Sequence, residues 1–566
     1  MKNYTYILLL SSLFFTWTAK SQKSKKIKFS GSLGLSYDYY NYSAYNYFGF
    51  RPRYEPNIFH LNINARLQMG RYLSIPFGIN ISNRKVSYNL PNIPNENLVE
   101  YVQNPRNNIH IDPSYKWFKA HLGSHTPQYS TLTTGDIQIF GLGFSMNPGK
   151  FILAANYGVS QTAIKPDILL NTPGAYKQTM VGVQLGYGKE KGDKFVFNLV
   201  KIKDDISSIN TSSSVGYDPV EGISVSPLLK IKLFKHLIFK TETAVSLYTS
   251  NLKALALPSN NFFPSQLNNY ITLNSSSVFD FAHNTSLTWK SKDFLLGGQI
   301  KYIGPGYMPI GYRNIEKDII DYKINTGFKL FRKKLHLKGS IGIRTNNINN
   351  TTLVSTKRLL ASLNVFGKIS KQFSFNASYT NFGFNNNQNL PALRIEMINN
   401  SFSFSPSYRF KSRNKQHVIS MNLSLNNLDM YNVASLSFIT TKTQTFNTNY
   451  NVIFKNIPLS LGTNILLLKN KSAVLDMSIS NFVINAGYKF YNKKIKPSLS
   501  IGYMNIRRLG FSADNRFVTK FKLKYKVNKK LSIKMLYTLT NNDYGTIHPG
   551  ASVTENKAQI SINKKF

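Results

Sequence analysis

The chain has 566 residues, with 70 Lys plus Arg against 25 Asp plus Glu, a formal net charge of +45, and no Cys. Without Cys there is no disulfide scaffold, no cysteine nucleophile and no zinc–thiolate site, and 34 Tyr with 39 Phe supply too much apolar surface for a disordered chain. A charge of this size points to nucleic acid or to a membrane surface, and the first residues decide for the membrane.

Lys2 is followed by an apolar stretch from Ile7 to Trp17, 11 residues long. That is too short to span a bilayer as a helix, which needs ~20 residues. Ala19 and Ser21 place small residues where a signal peptidase reads. Residues 1–21 are therefore expected to be a signal peptide, cleaved near Ser21-Gln22 after Sec export. No Cys offers a lipid anchor, and no later run approaches 18 apolar residues. Residues 22–566 are expected beyond the inner membrane, where nucleic acid is not a partner.

The exported part alternates with period two. Ile27, Phe29, Gly31, Leu33 and Leu35 open it. Leu73, Ile75, Phe77, Ile79 and Ile81 follow, interleaved with Ser74, Gly78, Asn80 and Ser82. Val181, Val183, Leu185 and Tyr187 alternate with Gln178, Gly182, Gln184 and Gly186. Phe517, Phe521, Leu523, Tyr525 and Val527 alternate with Lys520, Lys522, Lys524 and Lys526, and Leu531, Ile533, Met535, Tyr537 and Leu539 come next. Each segment reads as a strand with one apolar and one polar face.

Short basic or Gly-containing turns separate the runs. They fall near Gly70-Arg71, Phe118-Lys119, Pro148 to Lys150, Lys189 to Lys194, Phe234-Lys235, Lys290 to Asp293, Arg332 to Lys334, Ser370-Lys371, Lys411 to Gln416, Lys455-Asn456, Asn492 to Lys494 and Asn528 to Lys530. The opposite connections are longer: Asn41 to Pro56, Asn83 to Asn107, Asp204 to Glu221, Ser250 to Asn269, Gly304 to Asn314 and Asn385 to Pro391. Short turns at one end and long loops at the other are the pattern of an outer-membrane barrel. A solenoid would repeat residues at fixed offsets, and here only the rhythm repeats. A pair of soluble sandwiches shares the alternation, and the C-terminus argues against it. Ala558, Ile560, Ile562 and Phe566 share one face of the last strand, and Lys557, Gln559, Ser561, Asn563 and Lys565 share the other. An edge this apolar is a hazard unless a barrel closes it. A strand ending on an aromatic residue also resembles the signal read by barrel-assembly machinery, with Ile560, Ile562 and Phe566 as its residues.

The expected fold is thus all-β: one large closed antiparallel transmembrane barrel over residues 22–566, with long extracellular loops. Twelve turns imply 26 strands, within an expected range of 22 to 26. No separate plug domain fits, because alternation begins at Ile27; anything filling the barrel must come from its loops or from another chain.

Chemical sites are few. His121 and His125, four apart on a strand, should stand ~13 Å from each other and share no ion. Gly149-Lys150 looks like the end of a phosphate loop, but Phe151 replaces the needed hydroxyl residue, so it reads as a hairpin turn. No paired carboxylates and no Ser–His–Asp spacing stand out, so no catalytic residue, metal site or cofactor is expected and the protein is read as a non-enzyme. Gly304-Pro305-Gly306, beside Tyr302, Tyr307 and Tyr312, marks a tight loop suited to the pore mouth or to a partner.

Several of these segments carry a resemblance: residues 113–117 (Pro-Ser-Tyr-Lys-Trp), residues 141–152 (Gly-Leu-Gly-Phe-Ser-Met-Asn-Pro-Gly-Lys-Phe-Ile), the Gly-Pro-Gly-Tyr loop at Gly304, and Thr356-Lys-Arg358. They resemble an uncharacterised family of outer-membrane β-barrel proteins from Bacteroidota, over about Ile58 to Tyr379. The resemblance implies fold and location and brings no catalytic residues. No TonB-box or plug-domain pattern accompanies it.

Two functions fit such a wall. One is a porin-like channel or exporter that passes solutes or a polymer. The other is a structural or accessory subunit of a larger outer-membrane secretion, assembly or surface-protein complex. Expected partners are outer-membrane lipid and lipopolysaccharide, the assembly machinery, and other outer-membrane or surface proteins. Lys or Arg facing lipid at mid-membrane costs ~2–4 kcal/mol. Lys520, Lys522, Lys524 and Lys526, with Lys534, Lys557 and Lys565, are therefore expected to point into the lumen as a basic cluster.

Overall fold

The computed structural model describes residues 27–566 except 83–101, 104–106, 165, 167–173, 191, 210–217, 257–263, 309, 311–315, 351–354, 386–393, 395, 433–435, 473–475 and 547. The expected signal peptide and its cleavage site lie outside the described residues.

All strands join one antiparallel sheet of 27 named stretches. Ile109–Ile111 and Ser114–Tyr115 are two pieces of a single strand position, since both pair with Leu73–Ser82 on one side and Phe118–His125 on the other. The barrel therefore has 26 strands. The break falls at Asp112-Pro113, where Pro lacks the N–H a central strand would use. Closure is direct. Ile27–Tyr45 pairs with Ala551–Lys565 from Ser32 opposite Lys565 to Tyr45 opposite Ser552. Phe566 extends the seam, exchanging two backbone hydrogen bonds with Gly31 at 3.1 and 3.2 Å and stacking on Phe29 with ring centroids 4.8 Å apart. With no unpaired edge left, every strand satisfies its backbone within the wall, as a bilayer requires.

The faces follow the alternation. Phe517 and Tyr525 are about two-fifths exposed on the outer face, as are Ile560 and Ile562. Exposed aromatics gather near the short-turn end (Trp117, Phe151, Tyr187, Phe195, Trp289, Tyr408) and towards the other end (Tyr39, Phe59, Phe279, Tyr322, Tyr503), as in the girdles of membrane barrels.

All twelve turns appear, one of them displaced. The turn expected at Phe118-Lys119 lies at residues 116–117, because Lys116 takes positive φ (51°) and Phe118 already pairs with Met146. Three long connections were not foreseen: residues 126–138, 162–176 and 347–356. Conversely, Asn41 to Tyr45, expected in a loop, continue the first strand.

Candidate functional site: the inner wall

The first inner-wall feature is a shelf. Residues 126–138 leave the Phe118–His125 strand and turn inward rather than out to solvent. Tyr129 joins Ile139, Ala154, Met180, Val200, Ile202 and Ile310 in one buried cluster. Leu132 joins Ala244, Ala282, Ile303, Tyr307 and Ile319 in a second. These wall residues are on the inner face: Ala282 alternates with Phe279 and Phe281, which are 60% and 44% exposed outside. Strands Lys177–Gly188 and Lys194–Asp205 are thus apolar on both faces where the shelf sits, because only there does the inner face meet protein rather than water.

The Gly-Pro-Gly-Tyr loop reinforces the shelf. A side chain at Gly304 would collide with the Asp280 carboxylate, and the Gly306 N–H donates to Asp280 Oδ2 at 2.7 Å. That anchor turns Tyr307 inward, where it is fully buried and its hydroxyl donates to the Leu132 carbonyl at 2.5 Å. The Met308 N–H donates to Ser246 Oγ at 3.1 Å. The loop is further tied by Glu316, which pairs with Arg344 at 2.8 Å and Arg358 at 3.0 Å, while Arg344 grips Asp321 bidentately. The expected rim loop is therefore divided. Tyr302 lies on the outer side against Phe281, its hydroxyl accepting from Asn349. Pro305 sits in the turn, Tyr307 is buried in the shelf, and Tyr312 lies outside the described residues.

A polar chain runs under the shelf. Gln184 donates to Asn198 at 2.8 Å, Asn198 to Ser226 at 3.1 Å, and Ser226 to Glu242 Oε1 at 3.1 Å. Ser130, from the shelf, also donates to Glu242 Oε1. Glu242 is 1% exposed, and its Oε2 has no hydrogen-bond partner among the described residues.

Beside the shelf lies a histidine cluster that corrects the sequence estimate. The His121 and His125 rings stack with centroids 5.1 Å apart, not ~13 Å. Gly123 between them has φ of +90°, a conformation open to Gly at no steric cost, and kinks the strand while it keeps its register with Ile139–Met146. His121 Nδ1 is 2.8 Å from Asp112, and His125 is bound to Gly123 O and, at 2.7 Å, to Asn156. Asn156 donates to the Tyr129 hydroxyl at 2.5 Å, and burial pushes that phenol up to about 12. Gly78 and Gly182 leave the room that the His110 and Tyr129 rings occupy. Among the described residues no group of three or more His, Asp or Glu is arranged to hold a metal.

The lysines picked from the sequence lie together. Lys524 is directly opposite Lys496 on one side and Lys534 on the other. The charges acting on Lys524 are those of Lys534, Lys526, Lys496 and Lys522. Lys522 is opposite Leu536 one level further along, Lys520 and Lys557 flank Thr538 at the next, and Lys557 stands 3.9 Å over the Tyr54 ring. Lys565 is at the short-turn rim. No ion pair within 4.0 Å involves any of these lysines among the described residues.

Sequence reading missed a second row. Lys194 is opposite Lys230, and Lys230 opposite Lys240. All three share the inner face with Val196, Leu228 and Glu242, also near the short turns. The two rows stand fourteen strands apart in a ring of 26, nearly diametrically opposed. Lys230 and Lys232 alternate with Leu229, Ile231 and Leu233, which was the available signal; that three strands bring three lysines into line was not readable from it.

These features define a large closed barrel of the outer-membrane class. No family model matches the chain, and no curated protein matches it. Solved barrels resemble it in fold. OccAB4 of Acinetobacter baumannii is 11% identical, covering 67% of this chain and 99% of that one with a TM-score of 0.30. OccK8 (OprE) of Pseudomonas aeruginosa is 9% identical, covering 69% and 98%, TM-score 0.32. The FrpB iron transporter of Neisseria meningitidis is 10% identical, covering 95% and 81%, TM-score 0.38. The barrel assignment rests on the closed strand pairing.

Proposed function

We propose that the protein is an outer-membrane, porin-like channel or exporter with a cationic lumen that favours anions. The observation that carries this reading is the row Lys496–Lys524–Lys534, aligned across three strands without a carboxylate partner among the described residues. Like charges directly opposite each other destabilise a sheet. An open, water-filled wall tolerates them best, and there they attract anions as basic rings do in anion pores. The opposed row at Lys194, Lys230 and Lys240 adds positive potential on the facing wall. Sec export with cleavage near Ser21, insertion by the barrel-assembly machinery and contact with lipopolysaccharide belong to the same reading, as does kinship with the Bacteroidota barrel family.

The test is reversal potential in a salt gradient across a planar bilayer. Anion selectivity is expected, shifted towards cations when Lys520, Lys522, Lys524 and Lys526 all become Glu. A conducting channel indifferent to all four changes would remove these lysines from the pathway. Electrical silence together with co-purifying outer-membrane or surface proteins would replace the channel with the accessory-subunit reading.

A further inference from the structure

We propose that residues 126–138 form a displaceable constriction, held in the barrel by the protonated side chain of Glu242 and released when that proton leaves. The inference rests on the channel reading only in what the released shelf would do, which is to widen the pore.

The argument begins with hydrogen-bond geometry. Ser130 and Ser226 both donate to Oε1 of Glu242, and Oε2 receives nothing. A carboxylate draws donors to both oxygens; a carboxylic acid accepts at its carbonyl oxygen and carries the proton on the other. With Oε2 unpartnered among the described residues, the acid leaves a neutral hydroxyl without an acceptor, whereas the carboxylate would leave part of a buried charge without a donor, and the second costs more. The surroundings agree. Glu242 is 1% exposed beneath Ser130 of the shelf, and no cation lies within 4.0 Å among the described residues. A charge stranded there would be neither hydrated nor paired, so it would be strongly disfavoured while the shelf stays seated.

Charged and titratable groups reach this site from several elements. Lys240 faces it from two residues away on the same strand and Lys230 from Glu221–Leu233. Asp280 approaches from Ser277–Lys290, opposite Ser246. Tyr307 comes from the 304–318 loop, and Tyr129 and Asp136 lie on the shelf itself. None makes a salt bridge to Glu242. Lys240 and Lys230 stand below it on the open wall, so a carboxylate freed from the shelf would find cations and water there. Ionisation and unseating therefore favour one another. Seating is complete at low pH and is lost as pH rises through the ionisation of the seated acid.

The shelf holds by contacts that can re-form: the Ser130–Glu242 bond, the Tyr307–Leu132 bond, the Asn156–Tyr129 bond, and the two apolar clusters. It is continuous with the wall only at its two ends, next to His125 and Ile139.

The experiment uses the full-length barrel in liposomes. The natural chain has no Cys, so Thr133→Cys places one thiol on the shelf, at a position that is 0% exposed. Its labelling rate by a polar maleimide is compared at pH 8 with and without Glu242→Gln, which cannot ionise. At least a tenfold slower reaction is expected in the Gln variant, with equal rates at pH 5.5. Equal rates at both pH values would overturn the proposal. The readout needs no ion current, so it separates failure of the gate from failure of the channel reading. In a bilayer the wild-type barrel should step to a larger conductance as pH rises, while Ser130→Cys/Ser226→Cys, once oxidised, should stay at the smaller level until reduced. A tethered barrel that still steps upward would also refute the shelf as the gate, even if the Gln variant failed to assemble.

Discussion

Lys524 stands directly opposite Lys534 on the inner wall, and Lys496 stands opposite Lys524 on its other side. Cross-strand neighbours of this kind have Cβ atoms about 4.5–5.5 Å apart, and opposite charges there contribute roughly 0.2–1 kcal/mol where like charges oppose folding. Lys524→Glu should therefore raise stability while lowering anion preference. Thermal unfolding in detergent and reversal potential measure the two effects. A variant that gained anion preference, or lost stability, would contradict the assignment of this row to the water-filled wall.

The tyrosine bond inside the shelf should be costly to remove. Tyr307→Phe leaves the Leu132 carbonyl without its buried donor, a loss of about 1–3 kcal/mol. The effect should be local, seen as faster hydrogen exchange over residues 126–138 with the rest of the wall unchanged. Uniform loss of protection around the barrel would mean that Tyr307 supports the wall rather than the shelf.

Gly182 is needed for room rather than for backbone freedom. A side chain there would meet the Tyr129 ring. Gly182→Leu should expel that ring and break the Asn156–Tyr129–His125 contacts, raising exchange on the same segment. Gly298, where an added side chain meets nothing, is the control; equal effects at both positions would disprove the packing argument.

The short turns are expected in the periplasm and the long loops outside. A tag at Leu255, 83% exposed in the 250–276 loop, should be labelled on intact cells, and a tag at Lys529 should not. Basic turns would then lie against inner-leaflet phosphates, at about 1 kcal/mol per Lys or Arg near an anionic surface. Reversed labelling would invert the barrel and every assignment of top and bottom.

Phe566 closes the seam through Phe29 and Gly31. Phe566→Ala removes an aromatic pair of about 0.5–1.5 kcal/mol together with the residue proposed as the terminal assembly signal. Folded, heat-modifiable barrel should fall sharply on gels of outer membranes. Refolding of the purified variant in detergent should be only slightly impaired. Normal yield in cells would mean that the terminal aromatic is not read during assembly.

Sequence alone determined the wall. A strand's side chains alternate with period two and its ends need turn residues, so Phe517 to Val527 and the twelve turns declare strands, faces and a range of 22 to 26 strands locally, which closure fixes at 26. The same alternation puts Lys520, Lys522, Lys524 and Lys526 on the face opposite Phe517, Phe521, Leu523 and Tyr525. The interior was decided by tertiary structure. Residues 126–138 carry no periodicity that distinguishes an outward loop from one folded against Met180, Val200 and Ala244; their place depends on wall residues far along the chain. Glu242 reads as one more polar residue on an inner face until Ser130, 112 positions away, covers it. The His121–His125 stack needed the kink at Gly123, and the second lysine row needed the register of three strands. Pattern along the chain fixes which face a side chain takes, whereas the neighbour it meets on that face is set by closure and register.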